Sequence, residues 1–327
     1  MKIALIGYGN VGQALARLIR RQQSEYPFVI SGIHTARHGT AVCKKDAAKG
    51  LSLTPRFGPA MGSIEDFLRA SGARVAVELT PLNPWSGEPA TSHIRAALDR
   101  GLHVVTANKG PIAHAYASLR DQAARRGVLF RFESTVMDGT PVFNLVRRNL
   151  PAVEVLGFTG VLNSTTKIVV ETMERGGTFE QGVETARRLG IAEADARFDT
   201  DGWDSACKTA ALANVLMDAG VTPQAVSARG IGRITPERAQ ELCRSGKTIR
   251  LVSRARSAAG GFSLRVRAEV LEKTDVLAST RGTSNLLLLH TGLMGTLGVV
   301  SINPGVDQTA YGVFSDLVEI ADAVYGE

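Results

Sequence analysis

A doubly wound α/β sheet followed by a second, α+β domain is the fold class that this sequence predicts, on three observations. An apolar run at the start, Lys2 to Ile6, passes without a spacer into Gly7-Tyr8-Gly9-Asn10-Val11-Gly12 and then into a stretch with apolar residues at helical spacing. Short apolar runs then alternate with helical patterns as far as residue 133, the rhythm of a parallel sheet built from βαβ units. Beyond that point the runs lengthen and the alternation stops. A chain of 327 residues is also long for one core, so two domains are expected, 1–133 with 304–327 and 134–303.

Residues 2–6 are apolar after Lys2, as suits a strand buried on both faces. The helix that follows runs through QALARLIRRQQSE, and FVISGI (28–33) completes the βαβ unit. RVAVEL (74–79), HVVTA (103–107) and VLFRFE (128–133) read as further strands, with ATSHIRAALDRG and AYASLRDQAARRG as helices between them. Gly139 and Pro141 punctuate the crossing into the second domain. There VEVLGFTGVL (153–162), SLRVRAEVL (263–271) and NLLLLHTGLMGTLGVV (285–300) read as longer strands of an open, mixed sheet. Helices are expected at about 164–175, 179–189 and 204–219, the last closed by Gly220. The final TAYGVFSDLVEIADAVYG is amphipathic and is expected to return to the first domain.

Composition narrows the function. Hydrophobic residues make up 44%, which suits a globular enzyme. No apolar run approaches the ~20 residues of a membrane span, and the opening has glycine and polar residues where a signal peptide needs an unbroken apolar stretch. A soluble, cytoplasmic protein without a membrane partner is expected. Cys43, Cys207 and Cys243 are odd in number and lack CxxC spacing, which argues against a disulfide framework and a structural zinc site. The net charge of +7 is spread along the chain without aromatic interleaving, so no nucleic-acid partner is expected. A positive field that attracts phosphorylated cofactors and acidic substrates is the simpler account.

In the glycine loop, Gly7 permits the tight turn after the strand, Gly9 lets backbone approach a pyrophosphate, and Gly12 lets helix and sheet pack closely. Placed between strand and helix, the motif predicts a Rossmann-type dinucleotide site at a helix N-terminus. An NAD enzyme ordinarily carries an acid at the end of the second strand for the ribose hydroxyl. Here the segment reads GIHTARHGT, with His34, Arg37 and His38 and no acid, and Lys44 and Lys45 follow. Bases without an acid favour NADP, with NAD still possible. Asn108 and Lys109 stand just past a strand end, where a solvated charge, a phosphate contact and a catalytic amine are all consistent with position alone. Asp204 and Lys208, four apart at the start of a helix, share one face. Such a pair is ordinarily a solvated contact, worth roughly 0.3–0.5 kcal/mol.

Taken with IGYGNVG, TANKGPIA, FESTVMDGTP, GVLNSTTKIVVETM, RRLGIAEADARFDTDGWDSACKTAALA and PGVDQTAYGVFSDLVEI, the chain resembles the homoserine dehydrogenase family over nearly its whole length. The spacing of Glu193, Asp199, Asp204 and Lys208 is the most specific part of the match. The resemblance implies NADPH- or NADH-dependent reduction of aspartate 4-semialdehyde to homoserine, in threonine and methionine biosynthesis. It implies that Lys208 is the proton donor and Lys109 a second essential lysine by the nicotinamide. Asp204 would orient the substrate hydroxyl or its water, and Glu193 would take the substrate ammonium. Asp199, Ser164 and Thr165 would complete the substrate site. Thr80 and Gly305 would join Gly7, Gly9, Asn10, Val11, Gly12 and Arg37 in holding the cofactor. A monovalent cation, Na or K, would sit on the Glu133 side chain and the backbone carbonyls of Val136, Asp138 and Thr140. A homodimer built on the second domain is implied, and a C-terminal regulatory module is not expected.

Two departures stand out. The family's Asn-Gly-Thr-Thr-Asn segment reads Asn163-Ser164-Thr165-Thr166-Lys167 here, which adds a hydroxyl at the substrate's amino-acid end and, by expectation, a charge near the pocket. The alternative that follows is a related oxidoreductase for a different small hydroxy or aldehyde acid; a non-catalytic NADP-binding protein would keep the glycine loop but has no need of Lys109, Asp204 and Lys208 together. Asp138 also replaces a small residue, a change that a backbone carbonyl ligand would survive.

Overall fold

The structure is a computed structural model that describes residues 1–43, 50–192 and 195–326. It divides into two compact units, Met1–Pro141 with Gly305–Glu327, and Val142–Pro304.

The first unit opens with β1 (Lys2–Ile6), α1 (Asn10–Arg21), β2 (Val29–Thr35) and β3 (Gly39–Val42). It continues through α2 (Ile64–Ser71), β4 (Val75–Glu78), α3 (Ala90–Asp99), β5 (His103–Thr106), α4 (Lys109–Arg126) and β6 (Phe130–Arg131). Its sheet has the order β3-β2-β1-β4-β5-β6, parallel except for the β2–β3 hairpin. Strand order reverses between β1 and β4, and the crevice beyond their carboxyl ends is where open α/β sheets bind ligands. The hairpin through Thr35–Gly39 was not anticipated, because GTAV is too short to show a period. Helix α1 starts at Gly9 without a side-chain cap and without an acid in its first turn, which leaves its leading amides to a ligand. Asn108 caps α4 by accepting from the Gly110 amide.

The second unit carries α5 (Val142–Asn144), β7 (Val155–Val161), α6 (Ser164–Glu174), α7 (Phe179–Arg188), α8 (Arg197–Thr200) and α9 (Trp203–Met217). After these come β8 (Ser227–Arg229), α10 (Pro236–Arg244), β9 (Lys247–Ala258), β10 (Gly261–Glu272), β11 (Asn285–Thr291) and β12 (Gly295–Ser301). The sheet order is β12-β11-β7-β9-β10-β8, antiparallel except for the β10–β8 pair. NLLLLHTGLMGTLGVV is therefore a hairpin and not one strand. Helix α9 ends at Asp218 in the left-handed region (φ 49°), two residues before the expected Gly220.

The chain returns to the first unit as α11 (Val306–Tyr325), which packs on α1. Val313, Phe314, Leu317 and Ile320 join Ile3, Leu5, Leu15 and Val75 in one core. Each such fully buried side chain contributes roughly 1.5–3 kcal/mol. Residues 134–141, expected to begin the second domain, belong to the first unit because they are held on α11. The Ser134 hydroxyl donates to the Thr309 carbonyl (2.7 Å). A side chain at Gly139 would collide with the Gln308 backbone, and one at Gly312 with Ser134 Oγ. Pro304 falls in the second unit. Among the described residues all three cysteines are free, and no helix is long and apolar enough to cross a membrane.

Candidate functional site

In the first unit, Gly7 (φ 101°) turns the chain at the end of β1, and its N–H donates to the His34 carbonyl at the end of β2 (2.8 Å). A Cβ at Gly7 would lie 2.6 Å from the Leu79 carbonyl oxygen, and one at Gly12 would lie 3.1 Å from the Gly7 carbonyl. At Gly9 the same atom would meet nothing within 4 Å. The loop is thus closed below and open above, a cradle that fits a pyrophosphate. Asn10 and Val11 open α1 over it. A cleft of about 340 Å³ lined by Asn10, Gln13, Arg17, Gly305 and Gln308 joins the N-terminal turns of α1 and α11, which brings Gly305 to the cradle. At the end of β2, Arg37 is exposed in the hairpin turn; the Thr35 hydroxyl accepts from the His38 amide (2.9 Å). Lys44 and Lys45 lie outside the described residues.

Sequence reasoning missed the hub beside this cradle. Glu78, fully buried at the end of β4, accepts from the Thr80 amide (2.9 Å) and the Thr80 hydroxyl, and from the Thr106 hydroxyl (3.0 Å). Thr106 in turn accepts from the Asn108 amide (3.0 Å), and Asn108 Nδ2 donates to the Thr80 carbonyl (3.0 Å). One carboxylate therefore fixes both loops that carry Thr80 and Lys109. Lys109 is the first residue of α4, where the macrodipole opposes a cation, so helix stability does not account for a lysine there.

Glu133 is buried at the start of the segment expected to hold a cation. Its amide donates to Asp316 Oδ2 (2.9 Å). Burial pushes the Asp316 carboxyl up to about 8; the bond from the Glu133 amide works against this rise, and the charges of Glu133 and Glu319 add to it. Asp138 adopts φ 55° and accepts from the Thr309 hydroxyl (3.2 Å), while the Thr140 amide donates to the Met137 carbonyl (3.0 Å) between Val136 and Asp138. Among the described residues no group of three or more His, Cys, Asp or Glu side chains is placed to hold a metal. The expected set is of another kind, one carboxylate with backbone carbonyls, which suits a hard monovalent ion.

The second unit assembles the other candidates at the meeting of β7, α6, α8 and α9. Lys208 Nζ lies 3.2 Å from Asp204 Oδ2, with the two side chains only 16% and 10% exposed. This is not a solvated surface pair. The same ammonium donates to the Leu162 carbonyl (2.7 Å), which leaves one of its three N–H groups for a ligand. Asn163, the cap of α6, splits its amide between Asp199 Oδ1 (2.7 Å) and Asp204 Oδ2 (2.9 Å). The Thr165 hydroxyl donates to Asp199 Oδ2 (2.8 Å). Burial, and then the charge of Asp204, push the Asp199 carboxyl up to about 6 against the bonds from Asn163 and Thr165. The unfolded chain releases that proton near 3.8, so protonated Asp199 favours folding at low pH, a contribution lost as pH rises through about 6. Turnover should accordingly fall below about pH 6. Asp199→Asn is expected to shift or remove that acid limb of the kcat profile, and an identical limb in the variant would contradict the assignment.

One expectation changes. Lys167 does not place a charge at this cluster: it is buried, with Nζ donating to the Ser284 carbonyl and lying 3.3 Å from Asn285 Oδ1, because its position on α6 faces that segment. The Ser164 hydroxyl donates to the Thr283 carbonyl (3.2 Å) and to neither aspartate. Glu193 lies outside the described residues.

A glycine cradle on a doubly wound sheet and a lysine with a spare donor beside a buried acid define a nucleotide-dependent oxidoreductase. Comparison with known proteins sharpens the class. The family model for homoserine dehydrogenase matches residues 141–318, and that for the homoserine dehydrogenase NAD-binding domain matches residues 7–133. The chain is 36% identical to an NAD(+)-dependent homoserine dehydrogenase of Pseudomonas canavaninivorans, over 98% of this chain and 96% of the relative. It is 33% identical to a homoserine dehydrogenase of Methanocaldococcus jannaschii, over 98% of each. A putative homoserine dehydrogenase of Archaeoglobus fulgidus superposes with a TM-score of 0.86 at 30% identity, covering 98% of this chain and 99% of that one. A hyperthermophilic archaeal homoserine dehydrogenase solved with NADPH gives 0.82 at 26% identity, covering 98% and 97%. The chain belongs to the homoserine dehydrogenase family of NAD(P)-dependent oxidoreductases.

Proposed function

We propose that this chain interconverts L-aspartate 4-semialdehyde and L-homoserine, using NADP(H) in preference to NAD(H), with Lys208 moving the proton. The observation that carries this reading is the Lys208 ammonium, held by Asp204 and the Leu162 carbonyl with one N–H left over. A nicotinamide held on the glycine cradle would supply the hydride chemistry at the aldehyde carbon, in either direction. As the carbonyl becomes an alkoxide, the spare Lys208 N–H stabilises that oxygen and delivers the proton to it; in the reverse direction the amine takes the hydroxyl proton. Asp204 compensates the ammonium where both side chains are largely buried and an unpaired charge would be costly. Asp199, Thr165 and Ser164 shape the amino-acid end of the substrate site, and Glu193 is assigned to the substrate ammonium by its place in the motif. Gly7, Gly9, Asn10, Val11, Gly12, Thr80 and Gly305 would hold the nucleotide, and Lys109 is assigned by its place in the motif as the second essential lysine, by the nicotinamide.

The NADP preference is supported by Arg37 and by the lack of an acid at the end of β2. One relative is named as NAD(+)-dependent and another was solved with NADPH, so the choice is a property of each chain. With homoserine as substrate, kcat/KM for NADP should exceed that for NAD, and Arg37→Ala should lower only the NADP value, by about tenfold or more for a lost charge-assisted phosphate contact. Preference for NAD, with a ratio indifferent to Arg37→Ala, would refute it. A different hydroxy acid as substrate rests on Ser164 alone, since Lys167 is turned away, and the bond from Ser164 to Thr283 weakens even that ground.

Three further assignments belong to the same reading. A sodium or potassium ion would be held by the Glu133 side chain and the backbone carbonyls of Val136, Asp138 and Thr140; turnover should drop in buffer free of both ions and be insensitive to them in Glu133→Gln. The working form is a homodimer built on the second unit, where Leu156, Phe262, Val270, Leu293, Met294 and Val300 are exposed on strands and hairpins. Light scattering should give the mass of two chains, and a single-chain mass would contradict it. The setting is the cytoplasm, in threonine and methionine biosynthesis.

A further inference from the structure

We infer that Glu78 is a positioning residue for the nicotinamide half of the nucleotide: its buried carboxylate locks the loops after β4 and β5 together, so that Thr80 and Lys109 meet the cofactor as one unit. The inference deepens the proposed function and rests on its assignment of Thr80 and Lys109 to the cofactor. Glu78 and Thr106 are register partners at the ends of β4 and β5. Strand order reverses between β1 and β4, and a dinucleotide lies across that crevice. With its adenosine end toward Arg37 and the β2–β3 hairpin, its other half falls over the ends of β4 and β5. Thr80 stands at the junction: a Cβ at Gly7 would lie 3.0 Å from its amide nitrogen, so the loop after β4 begins against the glycine turn.

A fully buried carboxylate is costly, and an apolar residue would end a strand buried on both faces without that cost. Among the described residues, the one titratable nitrogen within 4.0 Å of Glu78 belongs to His93 on α3, whose Nδ1 lies 3.9 Å from Oε1 and has no hydrogen-bond partner. The carboxylate is held by hydrogen bonds instead. Thr80 gives its amide (2.9 Å) and its hydroxyl to Oε1, and Thr106 gives its hydroxyl to Oε2 (3.0 Å). Since β4 is already paired through its backbone to β1 and β5, what these side-chain bonds secure is the pair of loops. The loops meet at two further points. Asn108, which donates to the Thr80 carbonyl (3.0 Å), caps α4 one residue before Lys109. Gly87 (φ 72°) lays the far end of the first loop on the first turn of α4, where a Cβ would lie 2.9 Å from the Gly110 carbonyl oxygen. Thr80 and Lys109 therefore share one rigid frame with Glu78 at its centre, the support that a precisely held site requires.

The test compares the parent with Glu78→Met, which keeps the length of the side chain and removes both acceptor oxygens. The full chain is titrated calorimetrically with its preferred reduced nucleotide, and separately with the adenosine half alone: adenosine 2′,5′-bisphosphate for NADPH, or ADP for NADH. Glu78→Met is expected to bind the whole nucleotide about tenfold or more weakly and the adenosine half within about twofold of the parent. Its kcat should fall by about 10- to 100-fold, as when a reacting group is slightly misplaced, while KM for homoserine stays within about threefold. A merely structural role would weaken both ligands alike. Equal loss of the two ligands, or an unchanged affinity for the whole nucleotide, overturns the inference. Thr106→Val, which cuts only the link to the loop after β5, serves by the same criterion if Glu78→Met does not fold. A parent that binds nucleotide but leaves homoserine unchanged would refute the proposed reaction, and the binding comparison would still decide the role of Glu78.

Discussion

Lys208→Ala should lower kcat for homoserine oxidation by on the order of 10³-fold, the usual scale for a lost proton-transfer group. Nucleotide affinity and the circular dichroism spectrum should be preserved. The ammonium touches two groups of its own chain, Asp204 and the Leu162 carbonyl. Its loss does not leave Asp204 bare, since Asn163 still donates to that carboxylate. The fold should therefore survive with a stability cost of about 1–3 kcal/mol, as for a buried polar group that loses one of its partners. Lys208→Arg retains charge but cannot give up a proton near neutral pH, and should be nearly as inactive. Activity of Lys208→Ala within tenfold of the parent would remove the lysine from proton transfer and leave it a structural cation.

Gly7→Ala is expected to damage fold and cofactor binding together, whereas Gly9→Ala should damage binding alone. At Gly7 the backbone is in a region that side chains rarely enter (φ 101°), and the added carbon would sit 2.6 Å from the Leu79 carbonyl oxygen. The neighbour is backbone at the end of β4, which cannot step aside. Strain and overlap together should cost about 3–5 kcal/mol, seen as a Tm lowered by several degrees or as insoluble protein. Gly9 has φ −79°, and an added methyl group would meet nothing within 4 Å, so the fold accepts alanine there. That open space is where the pyrophosphate has to approach. NADP binding by Gly9→Ala should weaken about tenfold or more while Tm stays within about 2 °C, the signature of lost ligand contacts without lost packing. Equal affinity in Gly9→Ala and parent would show that the cradle is only a structural turn.

How much of this was legible depended on whether a residue's role follows from local pattern. Gly7, Gly9 and Gly12 were readable because tight turn, close approach and helix packing each demand a glycine at a fixed offset. Asp204 and Lys208 were readable as a pair because i and i+4 share a helix face, but their burial was not, since it depends on β7 and α6 brought from over 40 residues away. Asn163 looks like any N-cap from sequence; only the fold shows its amide dividing two aspartates. Glu78 was hidden because an acid at the end of an apolar run reads as the end of the strand, and its partner Thr106 is set by sheet register. Lys167 was misplaced for the opposite reason. A charge near a motif suggests a side chain that faces the pocket, whereas the position of Lys167 on α6 turns it toward residues 284 and 285. Strand β9 was overlooked because KTIRLVSRARSA places arginines on a face that carries polar groups, so the apolar alternation that marks a strand is broken.

The central claim, that this chain interconverts homoserine and aspartate 4-semialdehyde with Lys208 moving the proton, is tested most directly by mixing purified enzyme with L-homoserine and NADP. Nicotinamide absorbance is followed while aspartate 4-semialdehyde is trapped and identified, with other small hydroxy acids run alongside. Stoichiometric NADPH and semialdehyde from homoserine, with the other acids turning over far more slowly, is the expected result. No turnover of homoserine with either nucleotide, or faster turnover of another hydroxy acid, would contradict it.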